Sequence, residues 1–439
     1  MTAVSARPAV DRLTAWRHRL ALGLVAVLPL HTVFVHRWIA WKPFLVLLLA
    51  VVALDVRDGF TRRRWPWEPR VSLAAGVFLA AVAVGFPIAG DPERFLRLLL
   101  ALGVGVAIML VVARVFEAPD GERRLLRTVY WSAAALAATG VLLSFVGVGT
   151  FGPEAIDRLD TLPLVHRLYK PAYLTQGFLA VTNWHQDPGY AAAWTNLWAA
   201  VTIVAAARGA GARRVWIDGA VIGGLGLATF MTMSRTGWLG FVVASVVGFG
   251  TVLVGGVGDR RRHLRVAAAA VLVWLGLVLV LGVVDPTGVG ADLETEVAFR
   301  LSQNLTLDAG DAGALGNTDG VVDARSIWWP WYLDAFRSRP LLGIGLGTGW
   351  AAEGVQEPHN LLLELLGETG IVGFVGFVVL GATVLRRGGG LLGGVALAVA
   401  LASAITQTVI FEGTLWFAAG LYVGGGTAAN AFPVGDDPG

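Results

Sequence analysis

A dozen apolar runs, each near the length that crosses hydrocarbon, divide this chain almost from end to end. A bilayer core is about 30 Å thick and takes roughly 20 helical residues to span. Inside it the backbone must satisfy its own hydrogen bonds, so such runs become helices. They fall at residues 20–35, 43–56, 71–89, 95–116, 128–149, 189–207, 215–233, 237–256, 264–284, 360–385, 390–410 and 413–430. Charged residues make up only 15% of the chain, against about 25% in soluble domains. The expected fold is all-α: a polytopic membrane protein, one transmembrane domain over residues 1–439 with about twelve helices. The first run follows a basic tail with Arg7, Arg12, Arg17 and Arg19, and no small-x-small cleavage site precedes Arg37. It is expected to remain as an uncleaved span.

Arginine placement gives the orientation, because short loops rich in Lys and Arg stay cytoplasmic. Alternate connections carry Arg57, Arg62, Arg63, Arg64 and Arg70; then Arg123, Arg124 and Arg127; then Arg208, Arg213 and Arg214; then Arg260, Arg261, Arg262 and Arg265; then Arg386 and Arg387. With both termini they belong to one side, the cytoplasmic one. That leaves two long connections, residues 150–188 and 285–358, on the outer side of a bacterial cytoplasmic membrane. Of 34 Lys and Arg, 22 fall inside, while 20 of 31 acids fall outside. A basic residue at the outer boundary therefore needs a local reason.

Several function classes drop out. No basic patch with interleaved aromatics offers a nucleic-acid surface, and anionic headgroups account for the cytoplasmic arginines. The absence of cysteine removes disulfides, thiolate nucleophiles and cysteine metal sites. No HExxH or Gly-x-Ser-x-Gly pattern is present, so neither a zinc protease nor a serine hydrolase is indicated. Residues 308–320, rich in Gly and Asp, match no calcium loop, and no metal or cofactor is expected.

Four outer stretches carry chemistry. Met233-Ser234-Arg235-Thr236-Gly237 lies between two apolar runs too close for a solvated loop. Arg235 either snorkels to the headgroups or faces a wet cavity, and small neighbours such as Ser234 let backbone approach a ligand. Arg325 opens an aromatic segment, with Trp328, Trp329, Trp331 and Tyr332, expected as an amphipathic helix in the large connection. Its rings suit an interfacial belt, or stacking on sugar or isoprenoid. Residues 340–350 alternate glycines whose N–H groups can face an anion. Pro358-His359-Asn360 then opens a span in which Glu364 and Glu368 form a polar stripe four residues apart, and His359, Leu363 and Leu366 are expected on one face. His185, in Trp184-His185-Gln186-Asp187, is a second outer imidazole. Both histidines suit a hydrogen-bonded interfacial role or catalysis.

The order of these motifs resembles the O-antigen ligase family and its relatives among polysaccharide polymerases. The resemblance rests on Ser234-Arg235-Thr236-Gly237, Arg325 with its aromatics, Ser338-Arg339-Pro340 through Gly345, and His359-Asn360 through Glu368-Thr369-Gly370. It implies a metal-independent, inverting glycosyltransferase using an undecaprenyl-diphosphate-linked glycan and an acceptor hydroxyl on a glycan, lipid or other envelope component. Arg235 and Arg325 would hold the diphosphate and His359 would act on the acceptor. Glu364 would orient the imidazole, Glu368 is structural, and Arg339 either aids phosphate binding or caps the aromatic helix. A polymerase joining lipid-linked repeats stays open on these residues, as does a transporter on span count alone.

Overall fold

The computed structural model describes residues 7–30, 34–36, 39–41, 43–118, 120–150, 169–171, 179–181, 188–283, 324–351, 358–406 and 409–431. His185, the 308–320 stretch and most of both long connections lie outside them. Each of the twelve apolar runs contains a helix. These are α1 (Arg7–Val27), α2 (Pro43–Arg62), α3 (Pro69–Ala83), α4 (Pro92–Val115), α5 (Gly121–Thr150), α6 (Pro188–Ala207), α7 (Val215–Phe230), α8 (Arg235–Val254), α9 (Arg260–Val283) and, past the large connection, α12 (Leu361–Arg387), α13 (Leu391–Thr406) and α14 (Gly413–Ala431). Within that connection α10 (Ala324–Ser338) is the expected aromatic helix, and α11 (Thr348–Ala351) is a single turn.

Among the described residues, seven helices are long and apolar enough to cross a membrane, with shorter apolar helices at Val215–Phe230 and Leu391–Ile405. The first helix departs from the expected 20–35. It starts at Arg7 and ends at Val27, because Pro29 cannot continue it. Beyond it a three-residue ribbon pairs β1 (Phe34–His36) with β2 (Ile39–Trp41), and a second pairs β3 (Tyr169–Pro171) with β4 (Leu179–Val181).

The bundle closes through small residues. At membrane depth helices gain little from hiding apolar surface from one another, so close backbone approach and packing hold them. A Cβ on Gly219 or Gly223 of α7 would lie 2.6 Å from Ala269 Cβ or the Ala270 carbonyl of α9. On α14, Gly420 and Gly424 meet α4 in the same way at Met109 and Phe116. At the centre is α6, buried from Ala191 through Ala207. Trp194 and Trp198 pack with Phe417 of α14 there, the Trp198 and Phe417 rings 4.8 Å apart.

The arginine-bearing connections share one end. Arg208 pairs with Glu122, Arg387 with Glu68, and Arg262 with buried Asp218, which also accepts from Tyr130 at 2.7 Å. Asp55 of α2, 1% exposed, takes Arg114 of α4 at 2.6 Å and Arg17 of α1 at 3.3 Å. Val181 N–H donates to Met231 O near the Ser234 turn, and Gly90 N–H to Thr348 Oγ1. These bonds lie at the opposite end, as the alternation of helices requires.

One helix is broken. At Gly370 (φ 60°, ψ −166°) α12 changes direction, in a backbone region essentially restricted to glycine. The break strands backbone groups that hydrocarbon leaves unpaired at a cost of several kcal/mol each. Residues 340–345 match four of them. Ile344 and Gly345 N–H donate to the Gly367 and Glu368 carbonyls at 3.1 and 2.9 Å, and Ile371 and Val372 N–H donate to Pro340 and Leu341 O at 2.9 and 3.2 Å. A Cβ at Gly370 would sit 2.5 Å from the Leu341 carbonyl. Gly370→Ala is expected to lower stability by at least about 1–3 kcal/mol. Gly381→Ala, with nothing within 4 Å of the added carbon, is expected to leave it unchanged, as read by thermal unfolding in detergent.

Candidate functional site

The site builds outward from this break. Glu368 is fully buried, and its carboxylate accepts Gly347 N–H at 2.7 Å and Gly349 N–H at 3.2 Å. The glycine-rich segment does cradle an acidic group, but that group is this chain's own side chain, not a substrate. Sequence spacing did not show this, because donor and acceptor lie about twenty residues apart and meet only when α12 folds back on the segment. The Glu368-Thr369-Gly370 motif is thereby explained as structure: a carboxylate that pins the loop, and the glycine that breaks the helix.

The same anchor seats α10. Tyr332, fully buried, fits between Gly349 and Gly367, where an added Cβ would collide with its hydroxyl at Gly349 and lie 2.8 Å from its ring at Gly367. One turn earlier, Trp329 Nε1–H donates to the Pro358 carbonyl at 2.8 Å. That bond ties the N-terminal half of α10 to the residue before His359. Arg325 lies one turn before Trp329 on the same helical face. The backbone thus brings Arg325 and His359 to one corner of the protein.

His359 is not on the face expected of it. It precedes α12 with φ 47°, a left-handed conformation uncommon for residues other than glycine. Asn360 is the N-cap, its Oδ1 accepting Leu362 and Leu363 N–H at 3.1 and 3.2 Å, which relieves two orphan donors of the first turn. Glu364, 1% exposed, follows on the inner side of that turn, with Glu368 one turn deeper. His359 therefore stands at the lip of the helix, half-buried, held between the Trp329 bond and the Asn360 cap.

Arg235 is the first residue of α8. Ser234 is that helix's N-cap, accepting Gly237 N–H at 3.1 Å, and Met233 before it has φ 53°. Gly237 makes room for the neighbouring helix, since an added Cβ would collide with Ala192 Cβ of α6. Arg339 lies beyond the C-terminal end of α10, about 21 Å along the axis from Arg325 at 1.5 Å per residue. Its N–H and carbonyl close the helix end, with Gly343 N–H donating to that carbonyl at 2.8 Å. Trp328 is half-buried beside Trp329. The sequence singled out Trp328, yet the hydrogen bond to the Pro358 carbonyl beside His359 comes from Trp329. Among the described residues no three His, Asp or Glu side chains converge as a metal site would.

Residues 220–378 match the family model described as O-antigen ligase. Over this stretch the chain is similar to that family. The match opens inside α7 and ends in the second half of α12, so it takes in Arg235, α10, the glycine-rich segment, His359 and the Gly370 break. No curated protein matches the chain. Glu368→Gln keeps the side-chain shape but offers one acceptor oxygen to two N–H groups. It is expected to cost about 1–3 kcal/mol, read as an earlier melting transition of the purified protein.

Proposed function

We propose that this protein is a membrane glycosyltransferase of the O-antigen ligase type. It transfers a glycan from an undecaprenyl-diphosphate-linked donor to an acceptor hydroxyl at the outer face of the cytoplasmic membrane, without a metal and with inversion at the anomeric carbon. The observation that carries this reading is the Trp329 to Pro358 bond, which joins the helix of Arg325 to the segment of His359 inside the matched region.

Each residue type suits its role. As the glycosidic bond to the diphosphate breaks, negative charge collects on the leaving oxygens. Guanidinium groups of Arg235 and Arg325 offer bidentate donors that stay charged in a partly dry site. Stabilising charge where it develops commonly accelerates a reaction more than any other single effect, and arginines supply it without a cation. His359, in its neutral form, takes the proton of the acceptor hydroxyl as that oxygen attacks opposite the diphosphate. General-base help of this kind contributes roughly 10²–10⁴-fold. Glu364, buried next to the Asn360 cap, orients the imidazole.

The rival within the same chemistry is a polymerase whose acceptor is a second lipid-linked repeat. Product on the isoprenoid lipid identifies a polymerase, and product on another acceptor identifies a ligase. Arg235→Ala, Arg325→Ala and His359→Ala are each expected to abolish transfer with insertion intact. Near-normal glycan transfer in any two would overturn the assignment. For His359 as base, transfer falls on acidification, whereas a flat profile makes it a positioning group. Trp329→Phe keeps an aromatic ring but loses the donor to Pro358, and is expected to slow transfer about tenfold, some 1.4 kcal/mol.

A further inference from the structure

Asn196 interrupts the run of Ala, Trp and Leu in α6 and is 1% exposed. Its Nδ2–H donates to the Gly237 carbonyl of α8 at 3.0 Å, and its Oδ1 accepts from Thr229 Oγ1 of α7 at 3.2 Å. The carbonyl can only accept, so the amide orientation is fixed by its partners. The contact is close, since a Cβ on Gly240 would lie 2.5 Å from Asn196 Nδ2.

These bonds close a circuit around the arginine turn. Thr232 Oγ1–H donates to the Thr229 carbonyl at 2.7 Å and accepts Ser234 N–H at 3.2 Å; Ser234 Oγ then accepts Gly237 N–H at 3.1 Å. From Gly237 the path returns through its carbonyl to Asn196. The residues enclosed are the left-handed Met233 and Arg235 itself. A carbonyl in the first turn of a helix already receives the N–H four residues on. The Asn196 bond is therefore not needed to form α8. What it adds is a fixed depth and rotation of that helix against α6 and α7, which a packed apolar side chain would leave free to slide.

We infer that Asn196 is a positioning residue for Arg235, its amide setting where the α8 arginine meets a diphosphate. This rests on the reading of Arg235 as a diphosphate ligand. The probe is undecaprenyl diphosphate, its affinity measured for purified full-length protein in nanodiscs. Asn196→Ala is expected to weaken binding about tenfold in the Arg235 protein and to have no further effect beside Arg235→Ala. Thr229→Val, which removes one hydroxyl and keeps the packing volume, is expected to shift affinity the same way by a smaller factor, and it stands in if Asn196→Ala does not fold. Equal weakening with and without Arg235, or wild-type affinity in both Asn196→Ala and Thr229→Val while Arg235→Ala weakens binding, overturns the positioning role alone. No binding by the wild type, or binding indifferent to Arg235→Ala, overturns the functional reading and this inference with it.

Discussion

Hydrocarbon offers no partner to a stranded peptide group, and the half of this protein opposite the arginine-rich end is organised by that fact. Once Gly370 breaks α12, four backbone groups need partners, and residues 340–345 supply them. That fixes the glycine-rich segment against the break, Glu368 pins its far end, and Tyr332 locks α10 onto the same surface. The approach of Arg325's helix to His359 thus descends from one glycine torsion. A straight α12 would leave nothing for that loop to bind.

The two ends of the bundle use charge differently. At the arginine-rich end, Arg17, Arg114, Arg208, Arg262 and Arg387 are matched to Asp55, Glu122, Asp218 and Glu68 between different helices. Those pairs tie different helices and their connections together at that end. At the other end, acids outnumber bases in the sequence, and Glu368 is held by peptide N–H groups. Directed amide dipoles stabilise that buried group in part, and the charge of Arg94 on α4 acts on it as well.

The sequence made the helices legible because hydropathy over about twenty residues is a collective signal that one residue cannot mask. It also marked the aromatic helix at 324–338, the arginine turn and the His-Asn pair. It hid whatever depended on distant pairing. The glycine-rich segment looked like a ligand loop until Glu368 occupied it. His359 looked helical until Asn360 took the cap. Trp328 and Trp329 are indistinguishable in composition, and only the direction of one indole N–H separates them. Asn196 did leave a trace, as a lone amide in an apolar run, which at membrane depth is itself a sign of an interhelical bond.

The Arg17, Asp55 and Arg114 cluster adds a consequence in time. Asp55 meets Arg17, 38 residues before it, and Arg114, 59 residues after it. At synthesis rates of about 5–20 residues per second, the second arginine leaves the ribosome roughly 3–12 seconds after the aspartate. In that interval the partners of Asp55 already made are Arg17 and the Trp67 indole N–H, and its shorter guanidinium contact arrives only with α4. The N-terminal helices are thus a waiting platform during biogenesis, and α4 is the element whose arrival closes them.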